Sequence, residues 1–320
     1  MRLLTTLAAV AATPVFASAA ALGFVACDSS ASPDPDKTTP ETAGDPSLEG
    51  PMLPLPPEPG QQLASLPYTL EGGDERYFCY TFTSPDEAVG ITHVQNLAGK
   101  LVHHVVVFQS LVPEPEGFSE CNVLFKPTWV PIWLAAKGSE GMQLPDGVTF
   151  KVAPHTQYVL QYHLLNARPT AVTERSGINL TYATDLAQYQ TASAMIVGSL
   201  ALDIPKDALG FTQTNECISD RPLNVFAVLP HMHLLGKRLD FFTGPPDDVK
   251  PVYSINPWNF DDQPFVPMSL TIQPGDVLRA RCTWDNTTGK DVGFGESTYD
   301  EMCMFLVYAW PMSSIATCGL

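Results

Sequence analysis

Short apolar runs broken by turn residues fill most of this 320-residue chain. The runs are rich in Val, Ile, Tyr, Phe and Thr, and examples are RYFCYTF, KLVHHVVVF, YVLQYHLL, SGINLTYAT and CMFLVYAW. Runs of this length and composition are typical of β-strands, whereas sustained helical periodicity is scarce. The 30 prolines fit edge strands and loops better than helices. The sequence therefore predicts an all-β fold made of antiparallel β-sandwiches.

The N-terminal region differs from the rest in composition. Residues 1–26 have the charged Arg2 near their start and continue as an apolar stretch of small residues. Cys27 follows directly. We interpret residues 1–26 as a bacterial lipoprotein signal peptide and Cys27 as the lipidated residue; the alternative is an ordinary secretory signal. Residues 27–66 are dense in Pro, Ser and acidic residues, which predicts a disordered tether. We therefore expect an exported protein, lipid-anchored to the bacterial cell envelope on the periplasmic or outer surface.

The remaining chain is long enough for two domains with separate cores, which we place at residues 67–187 and 188–320. No segment after the signal is long and apolar enough to span a bilayer, so we expect the lipid anchor to be the membrane attachment. The formal net charge of −17 disfavours nucleic acid as a partner, because phosphate binding requires clustered basic residues. Nothing in the pattern indicates a protein partner.

Cysteine usage agrees with export. Six cysteines follow Cys27, namely Cys79, Cys121, Cys217, Cys282, Cys303 and Cys318. An even number in an exported chain predicts three disulfides. No two of them have CxxC spacing, so a thiolate zinc site has little support.

Histidines are concentrated in three of the apolar runs. Of 7 histidines in the chain, five lie there: His103, His104, His163, His231 and His233. Side chains alternate along a strand, so His231 and His233 project from one face and could hold one metal ion. His103 and His104 are adjacent and would face opposite ways in a regular strand. Their joint use as ligands requires a strand end or a β-bulge.

The donor types select the metal. Neutral imidazole suits zinc, copper, iron or nickel, whereas the thioether of Met302 is soft and favours Cu(I). Three protein ligands at each site would leave positions open, as catalytic and redox metals require. We therefore expect two coppers per chain.

Several motifs then carry a family resemblance. The runs HHVVVFQ, VLQYHLLN and HMHLLGK, and the long run from QPGDVLRARC to CMFLVYAWP, resemble the copper type II, ascorbate-dependent monooxygenases. This family includes peptidylglycine alpha-hydroxylating monooxygenase and dopamine beta-monooxygenase. The resemblance extends from about Arg76 to the C-terminus, with the motifs in the family's order. It implies two tandem jelly-roll-like β-sandwich domains, each holding one copper at an open cleft.

The resemblance also assigns roles to the residues. It implies an electron-transfer copper on His103, His104 and His163, and a catalytic copper on His231, His233 and Met302. Ascorbate or an equivalent reductant would act as co-substrate, and dioxygen would hydroxylate a C–H bond of a small molecule. It also implies two disulfides, Cys282–Cys303 and Cys217–Cys318, which leaves Cys79 to pair with Cys121.

The chain departs from the family at the substrate. Leu229 stands where peptide-hydroxylating members have an arginine, and Met304 and Leu306 stand where they have asparagine and tyrosine. These departures argue against a peptidylglycine substrate. A wall of the three residues would suit a small apolar or aromatic molecule, although they could equally be ordinary core residues.

Two other functions remain as alternatives to a copper monooxygenase. One is a non-catalytic copper-binding or storage lipoprotein on the same fold, and the other is a surface adhesion module without tight copper. We expect His93 and His155 to be structural, because a histidine in a β-rich protein is more often hydrogen-bonded than metal-bound.

Overall fold

The computed structural model describes residues 53–121, 126, 128–136, 139–295, 297 and 299–319, which lie in one compact unit. The predicted signal peptide, Cys27 and the tether up to residue 52 lie outside the described residues. Within the described part the secondary structure is almost entirely strand, with a single 3₁₀ turn at Leu186–Gln188. This confirms the predicted all-β fold.

The part of the chain up to Thr191, called here the first half, contributes strands β1 to β13. Their bounds are β1 Gly60–Ala64, β2 Tyr68–Leu70, β3 Glu75–Thr83, β4 Val89–Leu97, β5 Val102–Ser110, β6 Gly117–Glu120, β7 Trp129–Ala136, β8 Gly141–Gln143, β9 Val148–Val152, β10 Gln157–Leu165, β11 Val172–Glu174, β12 Gly177–Ala183 and β13 Gln190–Thr191.

Two sheets of the first half pack on each other. One has the order β1-β12-β4-β9-β13, with β8 paired to β4, and the other has the order β6-β3-β10-β5-β7. Ile91 and Leu180 of the first sheet share one buried apolar cluster with Val106 of the second. The central strand β10 is buried on both faces along most of its length, as a strand between two packed layers must be.

The second half, from Ser193 onward, contributes strands β14 to β24. Their bounds are β14 Ser193–Ser199, β15 Asp203–Ile204, β16 Leu209–Ile218, β17 Leu223–His231, β18 Gly236–Gly244, β19 Lys250–Ile255, β20 Val266–Ile272, β21 Val277–Asp285, β22 Val292–Gly293, β23 Cys303–Trp310 and β24 Ala316–Cys318.

Besides the two-stranded sheet β15-β22, the second half also has two large sheets, with the orders β20-β17-β23-β14-β24 and β16-β21-β18-β19. Two disulfides join them: Cys217–Cys318 connects β16 to β24, and Cys282–Cys303 connects β21 to β23. The rings of Phe241 and Phe305 also meet between these sheets, with centroids 5.2 Å apart. The sandwich is therefore cross-linked through its core.

The third disulfide, Cys79–Cys121, links β3 to the residue after β6. All three bridges are thus the pairs expected from the sequence. They tie neighbouring or facing strands that are distant in the chain, which restricts the unfolded ensemble.

The two halves share apolar contacts. Phe150 on β9 lies 6.4 Å from Phe226 on β17 and 6.2 Å from Tyr308 on β23, measured between ring centroids. The chain passes from the sheets of the first half to those of the second half between β13 and β14. The domain boundary placed at residues 187 and 188 remains a prediction. In the part of the chain that the structure describes, no helix could cross a membrane.

The two inter-sheet disulfides should differ in their effect on stability. They close loops of 101 and 21 residues, for Cys217–Cys318 and Cys282–Cys303 respectively. Loop-closure entropy gives about 4.7 and about 3.3 kcal/mol for loops of these lengths. We expect the Cys217→Ala/Cys318→Ala variant to lose more free energy of unfolding than Cys282→Ala/Cys303→Ala, measured by guanidinium unfolding. The reverse order would mean that packing around the buried Cys282 dominates loop closure.

Candidate metal sites

A β-bulge brings His103 and His104 to one place. On β10, His163 lies opposite His104 of β5, and the next residue, Leu164, lies opposite Val102. His103 is therefore the extra residue of the bulge, without its own partner in the ladder. A bulge is one of the two arrangements, a strand end or a β-bulge, that allow adjacent residues to bind one metal ion.

The three imidazoles form a compact cluster, called here the first histidine cluster. Ring centroids are 4.7 Å apart for His104 and His163, and 5.1 Å apart for His103 and His163. One potential ligand atom from each histidine lies within 4.8 Å of the other two. The Nδ1 atoms of His104 and His163 are 3.3 Å apart. Two nitrogens bound to one tetrahedral metal ion lie about 3.3 to 3.4 Å apart, so the donor set fits such an ion.

Neighbouring side chains orient the cluster. Tyr77 on β3, directly opposite His163, stacks on its ring with a centroid distance of 4.4 Å and an interplanar angle of 1°. Glu75 Oε1 lies 2.5 Å from His163 Nε2, which leaves Nδ1 facing His104. The Nδ1 atom of His103 is buried and has no hydrogen-bond partner among the described residues. A buried, unpaired nitrogen is costly unless something binds it, and a metal ion would do so.

Burial favours the neutral form of His104 and His163. It lowers the pKa of His104 well below the usual value, and the nearby histidines lower it further. Burial likewise lowers the pKa of His163, although the hydrogen bond to Glu75 opposes this effect. A neutral imidazole is the form that binds metal.

The second histidine cluster consists of His231 and His233, at the end of β17. Their ring centroids are 5.1 Å apart. His231 Nδ1 lies 2.7 Å from Gln263 Oε1, and His233 Nδ1 lies 3.1 Å from the carbonyl oxygen of Asp300. Both partners are acceptors, so Nδ1 donates in each case. The lone pair, and hence the metal-binding capacity, is then on Nε2 of both rings.

Strand register places Met302 beside this pair. His231 on β17 lies opposite Met304 on β23. Continued past the ends of both strands, this antiparallel register would bring Met302, just before β23, opposite His233. Directly opposed residues share one face of a sheet, so this register predicts the thioether on the face of the two imidazoles. Met302 is buried.

Glu301 fixes the backbone around these donors. Its Oε2 accepts hydrogen bonds from His233 N at 3.1 Å and from Trp284 Nε1 at 2.8 Å, and its Oε1 accepts from Leu235 N at 2.6 Å. Burial raises the pKa of Glu301 to about 7, against the lowering effect of these N–H groups. Sequence reasoning did not single out Glu301, because its partners are far away in the chain.

Burial, with a smaller contribution from His233, lowers the pKa of His231 to about 3, against the opposing hydrogen bond to Gln263. The pKa of His233 is lowered by burial as well. His231 and His233 contribute to the lowered pKa of His104, so the two clusters are electrostatically close.

One ring lies between the two clusters. Phe260 is 5.2 Å from the His103 ring and 6.3 Å from the His233 ring, between centroids. Of the remaining histidines, the exposed His155 lies 3.6 Å from Asp86, and neither it nor His93 belongs to a cluster among the described residues.

Comparison with known proteins supports one family. Residues 191–320 match the family model described as "Copper type II ascorbate-dependent monooxygenase, C-terminal domain". This stretch contains His231, His233 and Met302. The match covers less than half of the chain and supports the copper type II ascorbate-dependent monooxygenase family.

Curated relatives are similar to the chain over more of its length. The chain is 28% identical over 289 residues to DBH-like monooxygenase protein 1 of Gallus gallus, covering 77% of this chain and 46% of the relative. It is 26% identical over 245 residues to tyramine beta-hydroxylase of Caenorhabditis briggsae, covering 68% and 41%. It is 25% identical over 317 residues to dopamine beta-hydroxylase of Bos taurus, covering 85% and 50%. The chain thus spans about half the length of the curated relatives it matches.

Removing the carboxylate of Glu301 should destabilise the second half. Glu301→Ala leaves three N–H donors without an acceptor, and each unsatisfied buried donor costs about 1–3 kcal/mol. We expect a loss of about 3 kcal/mol or more in the free energy of unfolding, measured with urea. The control is Glu216→Ala, which removes an exposed ion pair with Arg279 (2.7 Å) and should cost less than about 1 kcal/mol. Equal losses would contradict the assigned role of Glu301.

Proposed function

We propose that this chain is a copper-dependent monooxygenase that hydroxylates a C–H bond of a small organic molecule with dioxygen and a one-electron reductant such as ascorbate. The observation that carries the proposal is the pair of histidine clusters, one built on a β-bulge. The comparisons support the same family of copper monooxygenases. The substrate and the reductant belong to the proposal.

The residues present fit two copper ions per chain. In the proposal His103, His104 and His163 hold the first, and His231 and His233 hold the second through Nε2, with Met302 as the soft third donor. Bound copper would supply one-electron redox chemistry and the activation of dioxygen. The chain's own contribution is to hold six donors in place, to favour the neutral form of His104, His163, His231 and His233 by burial and to limit water at the clusters.

The substrate class follows from the apolar residues beside the second cluster. Met304, opposite His231, is 8% exposed, and Leu229 lies opposite Leu306 on the same strand pair. Leu229 and Leu306 belong to the buried apolar cluster shared by the two halves, which favours a packing role for both. Met304 belongs to neither apolar cluster and is the residue we propose to contact substrate. These neighbours suit an apolar or aromatic molecule.

We also propose that the protein is an exported, lipid-anchored component of a bacterial cell envelope. The apolar N-terminal stretch before Cys27 and the disulfides support this proposal. Metabolic labelling with a fatty-acid analogue tests it, with Cys27→Ser as the control. Label on both forms, or on neither, would contradict lipidation at Cys27.

Met302 should be required for turnover and dispensable for the fold. Met302→Leu conserves volume, so the loss of stability should stay below about 1.5 kcal/mol. We expect the first copper to remain, the copper–sulfur signal in X-ray absorption of the ascorbate-reduced protein to disappear, and hydroxylation to fall at least 100-fold. Met268→Leu, in the partly buried strand β20, is the matched control and should leave all three readouts unchanged. Wild-type turnover by Met302→Leu would exclude the thioether from the reaction.

The activity itself is tested by oxygen incorporation. The copper-loaded protein is given ascorbate, ¹⁸O₂ and a panel of small aromatic compounds that includes tyramine and dopamine, the molecules in the names of two relatives. We expect a product carrying one labelled oxygen, and loss of product in His231→Ala. Two tightly bound coppers without copper-dependent oxygen consumption would favour the storage alternative. Absence of tight copper would favour the adhesion module.

A further inference from the structure

A short segment between β19 and β20 contacts both histidine clusters. This bridging segment, Trp258–Gln263, belongs to the second half but reaches His103 of the first half. It provides the partners of three different histidines.

At the first cluster the contact is a hydrogen bond. Asp261 Oδ1 lies 3.0 Å from His103 Nε2, and the Phe260 ring lies 5.2 Å from the His103 ring. The carboxylate can only accept, so Nε2 carries the proton and the lone pair is on Nδ1. This Nδ1 is buried and has no hydrogen-bond partner among the described residues, so it is free to bind a metal ion. Asp261 therefore selects the tautomer of His103 that can bind metal together with His104 and His163.

At the second cluster the bridging segment makes three contacts. Gln263 Oε1 accepts from His231 Nδ1 at 2.7 Å, and Trp258 Nε1 donates to the carbonyl oxygen of His233 at 3.1 Å. Phe260 contacts the His233 ring at 6.3 Å. Trp258 and Gln263 are both buried, which anchors the two ends of the segment to the second half.

We propose that Asp261 is a positioning residue for His103 and that the bridging segment couples metal binding at the two clusters. The proposal rests on the proposed function. Metal at the second cluster would fix His231 and His233, and with them Gln263 and Trp258, so Asp261 would already be in place when the first cluster binds. If the first metal to bind orders the bridging segment, the second metal does not have to order it again. Each metal then raises the affinity for the other, and this positive coupling is reciprocal by linkage.

The test compares three substitutions in the bridging segment. Asp261→Ala removes the acceptor, Asp261→Asn keeps an acceptor oxygen without the charge, and Asp262→Asn makes the same charge change at the neighbouring exposed residue. First-cluster copper affinity is measured by chelator competition, and the ligand environment by electron paramagnetic resonance of Cu(II). Outer-shell partners of metal-bound histidines typically contribute 10- to 100-fold in affinity. Because the Asp261 side chain is 79% exposed, we expect about a tenfold loss for Asp261→Ala.

Asp261→Asn should lose less than Asp261→Ala, and Asp262→Asn should match the wild-type protein in affinity and spectrum. Coupling is measured separately, in a His231→Ala/His233→Ala background that cannot load the second cluster. With Asp261 present, losing the second cluster should lower the first-cluster affinity several-fold. In the Asp261→Ala protein, losing the second cluster should cause no further change in that affinity.

The outcomes separate the two proposals. Two bound coppers with equal affinities and spectra in all Asp261 and Asp262 variants would overturn the role of Asp261 and leave the proposed function standing. Equal first-cluster affinity with and without the second cluster would overturn the coupling. A wild-type protein that binds no copper would overturn the proposed function and this inference with it.

Discussion

The pairing of β10 with β5 determines the first site. His163 lies opposite His104, and the ladder then skips His103 before Leu164 meets Val102. In an unbroken ladder His103 would point away from His104 to the other face of the sheet. One extra residue in β5 is therefore what allows three imidazoles from two strands to converge. The buried residues on both sides of this pairing fix the register, because a slip by one residue would reverse every side chain of a strand that is packed on both faces.

Burial then sets the chemistry of the donors. The pKa values of His104, His163, His231 and His233 are all lowered, with desolvation as the largest cause in each case. A protonated imidazole cannot bind a metal, so the same packing that excludes water keeps the donors in their binding form. Hydrogen bonds add direction. Each partner of a ring nitrogen, such as Glu75 for His163 or Gln263 for His231, leaves the opposite nitrogen available.

Much of the fold could be predicted from the sequence because β-strands and turns have strong local signals. The runs around His104, His163 and Met302 are strands or directly adjoin strands, and six cysteines form three bridges. The need for a bulge at His103 also follows from period-two alternation alone. By contrast, Asp261 and Glu301 act on partners 158 and 68 residues away, and no local pattern reports such a contact. Their identity depends on how loops cross between sheets, which the spacing of residues along one strand does not encode.

The two sites also differ in where their hydrogen-bond partners come from. Donors of the second cluster lie at the ends of β17 and β23, where Glu301 bonds to the backbone of His233 and Leu235 and the Cys282–Cys303 bridge joins the start of β23 to β21. The side-chain partner of His231 and the backbone partner of the His233 ring lie in the same half. His103 instead has an exposed aspartate of the other half as its partner. The first site therefore combines donors from one half with a partner from the other, whereas these partners of the second site all lie within one half.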